Sequence, residues 1–423
     1  MARGLGRVHR YPTAALVPPH SNSSDEDSPE QAFLLRAGEL LHAHGTPAHR
    51  LERLLDVMAE NLGVRAAFLS TPTAMIVSFG RGRNEQTRLL RIISSEVDLG
   101  KLVELDECLE GVEHGRIELP AAQARLEEIA AAPPRFSPAI VALAFGVASA
   151  GAARFFGGGL VEVLATFLVG LGLFGVNMVI GRLPTSDGLL VPLSAFLAAF
   201  LSLVASTLVP MDSRIVTLGG LIVLIPGLGF TVAMIELATR HLSSGVSRLA
   251  GAGAQFLTLL LGVALAWRLG GSFGEPLPHE VDALPMWTEW LALALSPPAF
   301  AVLFQARFRE WHVIALASLA GFLATRWGAA SLGPELGPFL GALTVGVLSN
   351  LYARVIDRPA SVPSMPAILL LVPGSLGYRS LTSFLSQDTV LGMEWGFRMA
   401  LVGASLVGGL LAANLVVPPR RSL

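Results

Sequence analysis

From about residue 136 to residue 417 the chain is a series of long apolar blocks separated by short gaps, and nearly all the acids lie before residue 130 or in those gaps. Helices half-buried in a soluble core keep a polar stripe, and these blocks mostly lack one. They match helices surrounded by lipid, each of which needs about 20 apolar residues. Ten windows fit: 137–153, 159–181, 188–208, 213–238, 242–268, 286–305, 311–329, 335–356, 363–385 and 391–417. The longest and most acidic gap, Gly270–Pro285 with Glu275, Glu280 and Asp282, separates five from five. The expected architecture is a mainly α, polytopic membrane protein with two five-helix units, 135–270 and 286–423, joined by an extracytoplasmic loop at 271–285.

Residues 30–134 differ in pattern. Thr46-Pro47 reads as an N-cap followed by Pro at the first helical position. Ala48, Leu51, Leu55, Met58 and Leu62 then recur at helical spacing, and Gly63 ends the run. Strands are expected at Arg65–Leu69, Ala74–Phe79 and Arg88–Ile93, with a turn at Gly80–Asn84. A helix through Leu99, Leu102, Val103, Leu109 and Val112 and another over Pro120–Ile129 complete a small α+β domain, which Pro133-Pro134 closes. Residues 1–29 carry the polar run Ser21–Ser28 and no apolar signal-peptide region, so they read as a disordered tail. With no export signal ahead of the first span, the small domain is expected in the cytoplasm.

Composition sharpens this and removes several function classes. Hydrophobic residues make up 52% and charged residues 15%, against about 25% charged in average soluble proteins. A net charge of −2 without a basic face gives no support for nucleic-acid binding. Cys108 is the only cysteine, so there is no intrachain disulfide or thiolate zinc cluster. His42, His44 and His49 cluster in sequence but lack paired acids at metal spacing, and read as a solvated helix face. No Walker loop is present. Gly374-Ser375-Leu376-Gly377 is not a nucleophile elbow. Neither an enzyme, a metal nor a cofactor is indicated. Ten spans starting inside place Arg182, Arg240, Arg248, Arg307, Arg309, Arg354, Arg358, Arg420 and Arg421 inside. Arg154, Arg214, Arg268 and Arg326 fall outside, as the positive-inside rule prefers.

The most informative feature is a duplicated interruption. Leu224-Ile-Pro226-Gly227-Leu-Gly229 and Leu371-Val-Pro373-Gly374-Ser375-Leu-Gly377 place their prolines 373 − 226 = 147 residues apart. One helix earlier, Pro192 and Pro338 lie 338 − 192 = 146 apart. Matched landmarks suggest an internal repeat, and a repeat of five spans enters the bilayer inverted, as in many secondary transporters. Pro removes a backbone donor and Gly permits unusual backbone angles. A mid-helix Pro-Gly therefore frees polar groups that lipid tolerates only when protein or a wet cavity satisfies them. Pro226, Gly227, Pro373, Gly374, Ser375, Gly377, Arg379 and Ser380 are thus the candidate substrate pathway.

Ionisable groups within spans are functional candidates because inserting them costs on the order of 2.5–3.5 kcal/mol each. Glu236 and Arg240 are spaced (i, i+4), as are Glu394 and Arg398, so each pair can share a helix face. They are candidates for proton coupling, with snorkelling at the membrane interface as the alternative. Asn177, Asn350 and Asn414 sit in apolar spans and either line the pathway or bond between helices. Gly333, Gly337 and Gly341 read as helix-packing positions, and Glu162 stays open.

Three stretches carry a family resemblance. They are Leu35-Arg-Ala-Gly38 with Arg50-Leu-Glu52-Arg53 and Ser70-Thr-Pro72-Thr; Ile225-Pro226-Gly227 through Glu236 to Ser244-Gly245-Val-Ser-Arg248; and Val372-Pro373-Gly374-Ser375-Leu-Gly377-Tyr378-Arg379-Ser380. With these the chain resembles the bacterial threonine/serine exporter family over residues 31–417. The resemblance implies a multi-pass cytoplasmic-membrane exporter of threonine, serine or similar small solutes, driven by protons, with the soluble domain cytoplasmic. Some relatives, split into two chains, look like exporters of dicarboxylates such as succinate. Where the family often has Asp after the first Pro-Gly, this chain has Glu236. The alternatives are a dicarboxylate exporter and, further off, a membrane-anchored sensor. Homo-oligomerisation is left open.

Overall fold

The computed structural model describes residues 27–82, 85–92, 97–181 and 188–419. The tail proposed at residues 1–29 thus lies mostly outside the described residues, as do part of the turn at 80–84 and Arg182, Arg420 and Arg421.

The N-terminal part, the expected soluble domain, contains α1 (Pro29–Ala43), α2 (Ala48–Asn61), β1 (Ala66–Thr71), β2 (Ala74–Phe79), β3 (Gln86–Arg91), α3 (Leu99–Glu113) and α4 (Leu119–Ala131). The strands form an antiparallel meander with β2 central; Ala66 pairs with Phe79 and Ala74 with Arg91. Period-two alternation turns Met75, Val77 and Phe79 of β2 inward, where they join Phe33, Leu41, Leu55 and Leu102 from the helices. α1 passes so close to the sheet that a Cβ on Gly38 would lie 2.6 Å from Met75 Cε. The Ala74–Phe79 strand has the expected bounds, while β3 begins at Gln86, two residues before the expected Arg88.

The apolar part contains α5 (Pro138–Phe155), α6 (Leu160–Ile180), α7 (Leu190–Ser206), α8 (Ser213–Gly220), α9 (Gly227–Ala238) and α10 (Leu242–Gly270). After the mid-chain loop come α11 (Trp287–Leu303), α12 (Trp311–Leu332), α13 (Gly337–Ile356), α14 (Ser361–Leu369), α15 (Gly374–Leu385) and α16 (Thr389–Val416). Among the described residues, seven segments are long and apolar enough to cross a membrane: α5, α6, α10, α12 with its preceding 3-10 turn, α13, α14 with α15, and α16. α7 and α9 are apolar but shorter, and α11 has 17 residues with Pro297 and Pro298 inside it. At 1.5 Å per residue, 17 residues rise about 26 Å, short of a hydrocarbon layer of about 30 Å. The expected windows 188–208 and 286–305 therefore fall below a full span by length. Exposed Leu164, Leu168, Leu257, Leu261, Leu316 and Phe397 give the outer surface its apolar character.

Both Pro-Gly sites break their helices. α8 stops at Gly220, a run of turns follows, and α9 starts directly after Pro226; α14 stops at Leu369 and α15 starts directly after Pro373. Pro226 has ψ 42° and Pro373 ψ 23°, both outside the helical range. The two halves also pack alike. α7 meets α10 where a Cβ on Gly262 would strike the Pro192 carbonyl, and α13 meets α16 where a Cβ on Gly409 would strike the Phe339 carbonyl. The offsets are 409 − 262 = 147 and 339 − 192 = 147. The partner of Pro192 is therefore Phe339 and not Pro338: contact register, not residue identity, fixes the correspondence.

The soluble domain shares its core with one end of the helix bundle. Its apolar cluster continues into Ala301, Ala306, Ile314, Tyr352, Val362 and Met365. Around that contact Leu99 N donates to Phe304 O at 2.9 Å, and Glu107 accepts from Arg307 and Arg358. Burial opposes ionisation of Glu107, but the two guanidinium groups hold its carboxyl below its ordinary range.

The helix contacts predict a contrast. Gly262→Val and Gly409→Val should each lower the melting temperature of the solubilised protein by several degrees, whereas Gly253→Ala, with nothing near its Cβ direction, should not. Equal melting of all three by tryptophan fluorescence would refute the close-packed contacts.

Candidate functional site

The two breaks touch each other. A Cβ on Gly227 would come within 3.3 Å of Gly374 Cα and 2.7 Å of Val372, and a Cβ on Gly374 within 3.2 Å of Gly227 Cα. Glycine on each side favours this close crossing of the two backbones. The Leu224 carbonyl, beside the first break, accepts from Gln255 Nε2 of α10 at 2.7 Å. On either side of the crossing the contacts are exchanged: Phe230 of α9 lies against Gly403 of α16, and Gly377 of α15 lies against Phe256 of α10. These obey the same offset, since 377 − 230 = 147 and 403 − 256 = 147.

At the end nearer the soluble domain, the space beside the crossing is open. A cavity of about 250 Å³ is walled by Leu228, Thr231, Val232 and Ile235 of α9, Ser349 and Asn350 of α13, Ser364 and Ile368 of α14, and Leu410 and Asn414 of α16. His49, Arg50 and Arg53 of α2 line it from the soluble domain. Ser349 is buried, and its Oγ has no hydrogen-bond partner. At the opposite end the corresponding space is filled. Tyr378, Leu218, Leu221 and Val263 are buried together there, with Trp267 packed against them.

Glu236, fully buried on the last turn of α9, ties the two parts together. Its carboxylate accepts from Arg248 Nε at 3.1 Å and Arg248 NH2 at 3.3 Å, and from the backbone N of Ala48 at 3.1 Å. Ala48 opens α2, and Pro47, not Thr46, is the N-cap residue, without a side-chain cap of its own. The first free amide of that helix is thus capped by a carboxylate 188 residues away, at the end where the helix dipole favours an anion. The expected Glu236–Arg240 pair does not form. α9 ends at Ala238, and Arg240 takes φ 67°, which turns it off the face that Glu236 occupies. Next to this contact Glu52 accepts from Ser70 N at 2.7 Å and faces His241 Nε2 at 3.3 Å.

The histidines are not a solvated face. His42 is buried at the junction, and burial, with Arg50, His241 and Arg53 close by, pushes His49 down to about 3. His44 is held at about 4 by burial and by Lys101. Periodicity missed His42 and His49 because they face Arg248, Glu236 and His241 of the helix bundle.

The remaining candidates divide. Asn350 lines the cavity and donates to Asn414 Oδ1 at 2.9 Å and Val417 O at 2.7 Å. Asn177 is half-buried on α6 and does not line the cavity. Ser375, Gly377, Arg379 and Ser380 lie on α15, away from the cavity. Arg379 sits over the rings of Phe156 and Trp395 at 5.7 and 5.4 Å, and Ser380 Oγ donates to Gly392 O at 2.7 Å. Glu394 and Arg398 do pair, at 2.8 Å, and Arg398 also reaches Glu335 at 3.5 Å. Glu162, left open by the sequence, is buried and accepts from Gly159 N and Asp212 N, both at 2.9 Å.

Comparison with known families fits this arrangement. A family model described as "Putative threonine/serine exporter" matches residues 32–270, more than half of the chain, and one described as "Threonine/Serine exporter, ThrE" matches residues 289–416. The chain belongs to the threonine/serine exporter family. The two matches meet across the mid-chain loop, and the first joins the soluble domain to the first five apolar windows. Among its relatives is pheromone-regulated membrane protein 10 of Saccharomyces cerevisiae, 26% identical over 92% of this chain and 54% of that protein. The protein of the same name in Kluyveromyces lactis is 24% identical over 92% of this chain and 44% of that protein. The chain therefore spans about half the length of the curated relatives it matches. No solved structure matches it.

Two outcomes follow from this exporter-family junction. Breaking one side of a buried ion pair costs about 3–5 kcal/mol, so Glu236→Ala should loosen α2. Amide exchange at Ala48–Leu51 should accelerate by an order of magnitude or more, and unchanged exchange would remove Glu236 from the junction. The second concerns pH. The folded pKa of His49 lies far below the ordinary 6.5, so the unfolded chain takes up the proton first. The stability present above about pH 6.5 is then lost as pH falls toward 3. The His44→Gln/His49→Gln variant should lose less thermal stability than the wild type between pH 6.5 and 4; parallel curves would contradict this.

Proposed function

We propose that the chain is a secondary transporter that exports threonine or serine across a bacterial cytoplasmic membrane, coupled to protons, with the soluble domain on the cytoplasmic side. In this reading the ten apolar windows are ten spans in two inverted five-helix repeats, 135–270 and 286–423, and the segment 271–285 is extracytoplasmic. The single observation that carries it is the backbone contact between Gly227 and Gly374, with open space beside it at the end nearer the soluble domain. Backbone freed from helical pairing at membrane depth is tolerated where protein or a wet cavity satisfies it, and paired broken helices at the repeat interface are where transporters place their substrate.

The asymmetry about the crossing supports alternating access. Thr231 and Val232 face the cavity, and Tyr378 and Arg379 stand 147 residues beyond them (378 − 231 = 147; 379 − 232 = 147). The present arrangement is then the cytoplasm-facing state, and in the opposite state Tyr378 and Arg379 would line the outer half of the route. Glu236 is the protonatable group best placed to link the soluble domain to the helix that carries the first break.

Counterflow in proteoliposomes tests this reading. The wild type should exchange labelled threonine or serine under a pH gradient, and Pro373→Ala should lose at least about tenfold in rate while still inserting as a folded protein, since a misplacement near 1 Å can cost a hundredfold. Absence of threonine, serine and succinate exchange by the wild type would sink the proposal.

A further inference from the structure

We propose that Arg50 and Arg53 of the soluble domain form the carboxylate-binding end of the substrate cavity, so that the domain is part of the transport site itself. This rests on the transporter reading above. The walls contributed by the helix bundle are neutral: Thr231, Thr239, Ser349, Asn350, Ser364 and Asn414 supply its polar groups, and its ionisable lining residues all come from α2. Among the described residues no carboxylate lies within 4.0 Å of Arg50 or Arg53. Two acids of this junction are already engaged, Glu236 by Arg248 and Ala48 N, and Glu52 by Ser70 N and His241. Arg50 is half-buried, one turn into a helix whose neighbour Arg53 carries the same charge.

The two like charges beside this apolar cavity repel each other, and the half-buried Arg50 also loses hydration while Arg53 stays exposed. An anion between them reverses both costs, and a planar guanidinium can grip a carboxylate bidentately. Two further polar atoms wait in the same cavity without protein partners, Ser349 Oγ and His49 Nδ1. They can bond a substrate hydroxyl, ammonium or second carboxylate oxygen. The chemistry shared by the candidate substrates is thus a carboxylate at the α2 end. A zwitterion such as threonine offers one carboxylate, and a dicarboxylate such as succinate offers one for each arginine.

The arrangement also gives the soluble domain a task. Glu236 already holds α2 against α9. A substrate carboxylate bridging Arg50 and Arg53 toward the bundle fastens the same helix from the cavity side, so loading and domain closure become one event.

Counterflow with the full chain in proteoliposomes decides it, using labelled threonine in one arm and labelled succinate in the other. Unlabelled threoninol, which keeps the hydroxyl and ammonium but has an alcohol for the carboxylate, serves as competitor. Arg50→Lys, which keeps the charge but loses the fork, and Arg53→Gln should each raise KM by about tenfold or more. The maximal rate should stay within about twofold, and threoninol should not compete. A KM effect confined to one arm identifies the zwitterion or the dicarboxylate as cargo. A wild-type KM in both variants, or threoninol competing as well as threonine, overturns the site while leaving transport standing. If the wild type exchanges neither substrate, transport and site fall together. A thermal shift on the solubilised full chain guards against misfolding: the wild type should be stabilised by the exchanged substrate and a folded Arg50→Lys protein should not, whereas equal stabilisation contradicts the proposal.

Discussion

The structure depends on one close approach, the crossing of two chain breaks at Gly227 and Gly374. Each break alone would leave backbone groups without helical partners. Crossing one over the other buries both, and glycine on each side favours it, since a Cβ on either would lie 3.2–3.3 Å from the other's Cα and closer still to Val372 or Ile225. The helices around the crossing follow from it. Phe230 fills the space left by Gly403, Phe256 fills the space left by Gly377, and the tight seams at Gly262 and Gly409 hold the flanking helices to the same spacing.

The second constraint is electrostatic and joins the parts. A helix entering an apolar junction brings amides that need an acceptor. α2 has no side-chain cap of its own and takes the carboxylate of Glu236 instead. Arg248 balances the charge that this carboxylate carries into the junction. In the proposed reading this makes the soluble domain a working part of the exporter: the contact that docks it also places His49, Arg50 and Arg53 over the cavity.

How much of this could be read from the residues varied with the range of the interaction. The Pro-Gly breaks were legible because Pro and Gly act on their own backbone, and the strand Ala74–Phe79 was legible because alternation is local. That the two breaks meet was not, since nothing local tells one loop of the other. Glu236 stood out as an acid in an apolar segment, but the partner expected for it, Arg240, is not the one it meets, which is Arg248. The (i, i+4) rule assumes a helix continuing to Arg240, and α9 stops at Ala238. His42, His44 and His49 were read as a solvated face because an isolated amphipathic helix looks the same whether water or another domain covers its polar side. The offset of 146 between prolines differed by one from the 147 that contacts define, since two prolines one residue apart in register still look alike in sequence.

The central claim is that the two halves are inverted equivalents whose corresponding faces open on opposite sides of the membrane. Ile235 lines the cavity, and Thr382 stands at the corresponding place in the second half (382 − 235 = 147). In a Cys108→Ser background, Ile235→Cys and Thr382→Cys can each be challenged with a membrane-impermeant maleimide from either side of oriented vesicles. The account predicts that Ile235→Cys reacts from the side of the soluble domain and Thr382→Cys from the other. Reaction of both from the same side would contradict it.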